Sequence, residues 1–259
     1  MKYFITVSSA MIYRQSTFHS EADTQVVLGE EVTVLEEQND FARILCEDGY
    51  EGWLNRYQLT AWEPDAGWAK KMLTQDLVRI HLEADAGAPA LRDAVAGSYL
   101  FVTSQEKDWN RVVLPDGVPG WVRADAFDTL NTWERVHFVS YAQRFLGVPY
   151  LWAGKTVKGF DCSGFTQFVH KMFGLSIRRD AWMQFEDGAF VSDDPLDGQA
   201  GDLMFFAESG DKVTHVGICL GKGKVLHARG MVRVNSLDRK DPLFSAGLFK
   251  DFVGVRSFV

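Results

Sequence analysis

The sequence predicts a multidomain chain: two small all-β barrels, then an α+β domain built on an antiparallel sheet. Three observations predict it. An ungapped internal repeat fills the first half. Near residue 130 the apolar pattern changes from alternation to helical spacing. Beyond that point, a helix that starts at a cysteine is followed by two strand-like runs, each carrying a histidine.

The repeat aligns Gly29–Leu54 with Gly97–Val122 at a constant offset of 68. Asp40-Phe41 meets Asp108-Trp109, Arg43 meets Arg111, Asp48-Gly49 meets Asp116-Gly117, and Gly52-Trp53-Leu54 meets Gly120-Trp121-Val122. The runs Val32–Leu35 and Phe41–Leu45 read as strands, and each Asp-Gly pair reads as a hairpin turn. Two or three short strands cannot stand alone, so each copy is expected to close into a small barrel. These units resemble bacterial SH3-like domains, whose hallmark is a strand ending in Gly-Trp-Val. The copies differ where one of them can take part in a site. Copy one carries His19-Ser20-Glu21 in its first long loop and Tyr50 after the Asp-Gly turn, whereas copy two has Ala84–Gly87 and Val118. The expected boundaries are 1–62 for the first barrel, 63–74 for a turn-rich linker beginning Glu63-Pro64-Asp65, 75–130 for the second barrel and 131–259 for the last domain. Thr129–Thr132 precedes the new pattern. There, apolar positions 138, 141, 142, 145 and 146 predict a helix that Gly147 stops.

Bulk composition narrows the classes of function. A net charge of −8 argues against nucleic acid and anionic membrane surfaces as partners. No stretch approaches the roughly 18 apolar residues of a membrane span. The short run Tyr3–Val7 reads as a first strand rather than the apolar region of a signal peptide. The chain is expected to be cytoplasmic and monomeric; export with a trimmed signal stays open. Three cysteines without a CxxC pair, Cys46, Cys162 and Cys219, suit a reducing compartment and leave room for one reactive thiol. No cofactor or metal is expected.

The chemistry lies in the second half. Apolar positions 165, 168, 169, 172 and 173 define one face of a helix ended by Gly174, which puts Cys162 at its start. Unpaired N–H groups and the helix dipole favour an anion there, so the thiol pKa is expected to be depressed. A buried structural cysteine is the alternative. Strands at 201–206, 214–220 and 225–229 place His215 and His227 on the two arms of a hairpin. They share a face if the pairing register sums to an even number, as a bulge or an odd loop gives. A plain two-residue turn at Lys222-Gly223 would put them on opposite faces. On one face, His215 takes the proton of Cys162 and His227 orients the ring of His215. Two histidines and a cysteine are also a zinc donor set, but no short-spaced ligand pair supports it. The remaining histidines have plainer readings: His170 is placed on the exposed side of the cysteine helix, and His19, His81 and His137 at surfaces or domain contacts. Cys46 and Cys219 are expected to be buried.

Pro149–Gly154, Gly159–Gly164, Gly201-Asp202-Leu203, His215-Val216-Gly217 and His227 resemble, in order and spacing, the motifs of the NlpC family of cell-wall cysteine peptidases. The resemblance covers about residues 133–259. It implies a permuted papain-like fold and a Cys162-His215-His227 triad acting on peptidoglycan peptides. With two SH3-like modules ahead, the chain is similar to γ-D-glutamyl-L-diamino-acid endopeptidases, which cut stem peptides that have a free N-terminal L-alanine. That likeness implies that Glu21, Tyr50, Asp161 and Ser163 hold the substrate's ammonium end, with Tyr57 a near alternative to Tyr50. One residue departs from the pattern: Trp182 stands where a serine is common. A hydrolase of intact wall and a non-catalytic wall-binding protein remain the competing readings.

Overall fold

The computed structural model describes residues 2–128, 130, 132–208 and 210–258. The expected domain ends at Met1, Asn131 and Val259, and Thr129 beside the boundary, lie outside the described residues. The chain forms two compact units, Met1–Leu130 and Asn131–Val259.

The first unit contains the two repeats as two sheets. Strands β1 (Tyr3–Ile5), β2 (Ser9–Tyr13), β3 (Ala22–Val27), β4 (Glu31–Gln38), β5 (Phe41–Leu45), β6 (Glu51–Asn55) and β7 (Leu59–Ala61) form one antiparallel sheet in the order β3-β2-β6-β5-β4-β1-β7. Strands β8 (Ala69–Met72), β9 (Leu77–His81), β10 (Ala90–Val95), β11 (Tyr99–Glu106), β12 (Trp109–Val113) and β13 (Pro119–Arg123) form the other, in the order β10-β9-β13-β12-β11-β8. The offset of 68 carries β2 through β6 onto β9 through β13 residue for residue. It also carries the register shift at Val34/Glu36 onto that at Val102/Ser104. The left-handed Asn39 and Gly49 recur as Lys107 and Gly117. The sequence expectation needs one correction: within 63–74, Ala69–Met72 is not linker but β8, paired with β11. Its side chains are mostly exposed, so it carries no alternating pattern.

The first barrel packs Ile5, Ile12, Val26, Ile44 and Leu54 into an apolar core, and the second packs Ile80, Leu100, Val112 and Val122 together with Leu28 from the first copy. The barrels are joined by backbone and side chain. Tyr99 N–H donates to Leu28 C=O at 2.8 Å, and Arg92 reaches the Thr6 carbonyl at 2.6 Å. The rings of Phe4, Trp62 and Phe101 pack edge-on between them.

The second unit begins with α1 (Arg135–Gln143), followed by a two-stranded ribbon, β14 (Lys155–Thr156) and β15 (Gly159–Phe160). Helix α2 (Cys162–Met172) and helix α3 (Ala181–Asp187) follow. Strands β16 (Ala189–Ser192), β17 (Leu203–Phe206), β18 (His215–Gly221), β19 (Lys224–Arg229), β20 (Met231–Ser236) and β21 (Phe252–Ser257) build an antiparallel sheet ordered β16-β21-β17-β18-β19-β20. Helix α4 (Ala246–Asp251) precedes the last strand and contributes Leu248 to a core with Met204, Phe206, Cys219, Val225 and Val255.

Helix α2 packs against β18 and β19. Phe138, Tyr141 and Phe145 bring further rings to its apolar side. The helix is buried almost all round, and this overturns the expected exposure of His170. That ring is 1% exposed, lies edge-on to Phe138 and Phe258, and its Nδ1 is 2.7 Å from the Thr166 carbonyl. A half-apolar helix pattern implies a solvent face, but here α1 and the C-terminal Phe258 take that face.

Candidate active site

The start of α2 is built around Asp161. Its backbone is extended, and its carboxylate caps the helix by accepting from Gly164 N–H at 2.6 Å. Arg179, from the loop after α2, donates Nη1 to Asp161 Oδ1 at 3.0 Å and Nη2 to Oδ2, and reaches Ser163 Oγ at 2.9 Å. Both charges are buried, the arginine side chain being only 2% exposed. Gly164 is required by space, since a Cβ there would stand 2.1 Å from the Gly154 carbonyl oxygen. Gln184 of α3 ties the first turn down by donating to the Ser163 carbonyl at 3.1 Å and accepting from Thr166 Oγ1 at 2.7 Å.

The sulfur of Cys162 therefore has a fixed position. It lies 3.9 Å from the Thr214 carbonyl and receives the Val216 N–H, so it rests on the backbone on either side of His215.

The hairpin register decides whether the two histidines meet. The turn residues are Lys222 and Gly223, both left-handed. Alone, such a turn would separate the two rings. A bulge between Cys219 and Gly221 shifts the register, so that Cys219 pairs with Val225 and Ile218 with Leu226. Both sums are even, and His215 and His227 share a face. Gly217 stands beside His227, where a Cβ would come within 2.8 Å of that residue's Cβ. His215 Nε2 lies 2.7 Å from His227 Nδ1, and His227 Nε2 lies 3.0 Å from Asn235 Oδ1.

Burial sets the charge states. It lowers His215 to about 3, with the His227, Arg229 and Arg233 charges adding to the drop. It also lowers His227 to about 4, against the pull of Asn235. Burial pushes the Cys162 thiol up to about 12, with Asp161 adding to the rise. The Val216 and Ser163 N–H groups and Arg179 oppose this without reversing it. This corrects the expected depressed thiol pKa: shielding from water outweighs the helix-start N–H groups, and burial disfavours the charged form of the sulfur and of each ring. Burial, with Cys162 and Asp161 adding, likewise raises the Tyr150 phenol, which marks this ring as a neighbour of the site that the sequence did not single out.

Cys162, Asp161 and Ser163 thus come together at one helix start, with the sulfur against the backbone that flanks His215 and with the His215 and His227 rings in contact with each other. Glu21 and Tyr50 belong to the first unit. There Glu21 pairs with Arg14 Nη1, and Asp23 accepts from Arg14 Nε at 2.7 Å. Tyr50 lies against the first barrel's core and acts on the same Arg14. Tyr57 is 70% exposed, with its hydroxyl 3.4 Å from Asp40. Trp182 on α3 has Lys212 Nζ 4.8 Å and the Arg178 guanidinium 5.8 Å from its ring centroid. Arg179 and Asn235 were not assigned roles from sequence. The capping Asp161 was the available signal for Arg179, and strand parity with His227 the signal for Asn235. Cys46 and Cys219 are buried. Among the described residues no cluster of three or more His, Cys, Asp or Glu is arranged to hold a metal ion. Nor is any helix among them long and apolar enough to cross a membrane.

Residues 147–248 match the NlpC/P60 family model, and residues 12–59 match the bacterial dipeptidyl-peptidase SH3 domain. The chain is 33% identical to the gamma-D-glutamyl-L-lysine dipeptidyl-peptidase of Bacillus subtilis (strain 168), covering 79% of this chain and 71% of that one. It is 29% identical to the protein of the same name from Bacillus cereus (strain ATCC 10987 / NRS 248), covering 93% and 76%. It is 27% identical to dipeptidyl-peptidase 6 of Lysinibacillus sphaericus, covering 99% of each. Among solved structures, an NlpC/P60 family protein from Bacillus cereus ATCC 10987 superposes with a TM-score of 0.84 at 25% identity, covering 100% of this chain and 99% of that one.

Proposed function

The chain belongs to the NlpC/P60 family of cysteine peptidases, and we propose that it hydrolyses the γ-D-glutamyl bond to the diamino acid in peptidoglycan stem peptides with a free N-terminal L-alanine. One observation carries the chemistry: the Cys162 sulfur rests on the backbone flanking His215, whose far nitrogen is 2.7 Å from His227.

In this reading His215 Nδ1 takes the thiol proton as the sulfur attacks the γ-carbonyl of D-glutamate. The N–H groups at the start of α2 stabilise the tetrahedral oxyanion. The imidazolium then protonates the departing amine of the diamino acid. A water molecule, deprotonated by His215, hydrolyses the thioester and releases L-alanyl-D-glutamate. His227 holds the ring of His215 throughout.

The amine end of the substrate is assigned to Glu21, Tyr50, Asp161 and Ser163. A desolvated ammonium needs carboxylate partners, and Glu21 and Asp161 are the two that the likeness to the endopeptidases implies for it. Glu21 can turn toward an ammonium without stranding Arg14, because Asp23 keeps its own bond to that guanidinium. Four donor groups of the protein already converge on Asp161, so it contributes its charge, while Ser163 Oγ offers the hydrogen bond.

Mass spectrometry of products from free and N-acetylated L-Ala-γ-D-Glu-L-Lys peptides tests the reading. The free peptide should be cut at the γ-glutamyl bond and the acetylated one spared. Equal cleavage of both would remove the ammonium site, and full activity of Cys162→Ala would remove the mechanism.

A further inference from the structure

The hydrogen-bond chain behind the Cys162–His215 pair extends beyond His227. His227 Nε2 faces Asn235 Oδ1 on β20, and Asn235 Nδ2 reaches the Leu243 carbonyl at 3.5 Å. That carbonyl is held in place. It also accepts from Ser236 N–H at 2.9 Å, beside the bridge that pairs Ser236 with Phe244.

These contacts determine where each proton sits. A carbonyl only accepts, so the Asn235 amide must turn its nitrogen to Leu243 and its oxygen to His227. An amide oxygen also only accepts, so the proton in that contact belongs to His227 Nε2. A neutral imidazole carries one proton, which leaves His227 Nδ1 as an acceptor. The proton in the 2.7 Å contact then belongs to His215 Nε2. His215 Nδ1 is left with its lone pair free, the form a base requires. The opposite amide orientation would protonate His227 Nδ1 and then His215 Nδ1, and the base would be blocked.

We propose that Asn235, anchored by the Leu243 carbonyl, is a positioning residue that sets the tautomers of His227 and His215 and so leaves His215 Nδ1 free to take the Cys162 proton. The proposal rests on reading Cys162 and His215 as nucleophile and base. The charged groups acting on the two rings are Arg229, itself paired with Glu208, and Arg233, the partner of His227 across the β19–β20 ladder. Neither accepts a proton from His227, so Asn235 alone of these three can set its tautomer.

Nitrogen-15 spectra of the imidazoles in the full chain near neutral pH test this, with assignments from His215→Gln and His227→Gln. Both rings should show a protonated Nε2 and an unprotonated Nδ1. A proton on His227 Nδ1 in the unaltered protein overturns the proposal, whatever any variant does. Asn235→Leu should release the His227 tautomer and lower kcat about tenfold or more with KM nearly unchanged. Asn235→Asp keeps the acceptor, so it should restore the tautomer and most of kcat. It should also move the acid limb of the pH profile upward, since a carboxylate favours the imidazolium. An Asn235→Leu protein with unaltered tautomers and kcat refutes the assignment. Retained activity in Cys162→Ala would instead fail the functional reading and leave the tautomer result standing.

Discussion

Replacing Arg179 with alanine is expected to destabilise the second unit by about 3–5 kcal/mol, the usual cost of orphaning one partner of a buried ion pair. Arg179 and Asp161 have side chains only 2% and 10% exposed. The substitution removes two charge-assisted bonds to the carboxylate, each worth about 1.5–3 kcal/mol. Gly164 N–H at 2.6 Å and Ser163 Oγ at 3.4 Å remain, and water entering the vacated space solvates part of the charge. Both effects hold the loss below the simple sum. Denaturant unfolding measures it, with hydrogen exchange across 161–172 assigning the change to the second unit, because a chain of two units need not unfold in one transition. Asp161→Asn combined with Arg179→Met removes both charges together and should cost clearly less than the two single changes added. A loss under about 1 kcal/mol for Arg179→Ala, or strict additivity in the double variant, would refute the reasoning. Activity should fall more than stability implies. Without Arg179, Asp161 raises the Cys162 thiol further, since these two groups act on it with opposite sign.

Acid should weaken the second unit through its buried histidines. His215 is held at about 3 and His170 and His227 at about 4, all below the unfolded value near 6.5. Their contribution is therefore fully present above about pH 6.5 and is lost as pH falls toward 4, with His170 alone worth about 3 kcal/mol. His170→Phe should flatten that slope in pH-dependent unfolding; an unchanged slope would count against a buried neutral His170. The resting thiol makes a separate prediction. Alkylation of Cys162 by iodoacetamide, followed by intact mass, should be slow at neutral pH and rise steadily into the alkaline range. A rate independent of pH between 5 and 8 would mean a thiolate–imidazolium pair at rest.

What the sequence made legible follows from which interactions are local. The repeat could be read because each copy forms its own turns: Asp48-Gly49 and Asp116-Gly117 each place a left-handed glycine at the same point of the barrel. The start of α2 could be read because Asp161, Cys162 and Gly164 lie within one helical turn of each other. The features that could not be read depend on distant partners. Strand β8 exists only because β11 offers it an edge. His170 is buried because Phe258, at the other end of the domain, covers it. The fit of His215 to His227 depends on one residue of slippage at Leu220, which Gly221–Lys224 suggests as a turn without fixing as a register. Arg179 is the sharpest instance. A charged loop residue is ordinarily read as solvated, and only the presence of a capping carboxylate in a buried first turn makes its burial tolerable. The same carboxylate raises the thiol pKa that the cap would otherwise help to lower, so Arg179 is what lets Asp161 sit beside a nucleophile at all.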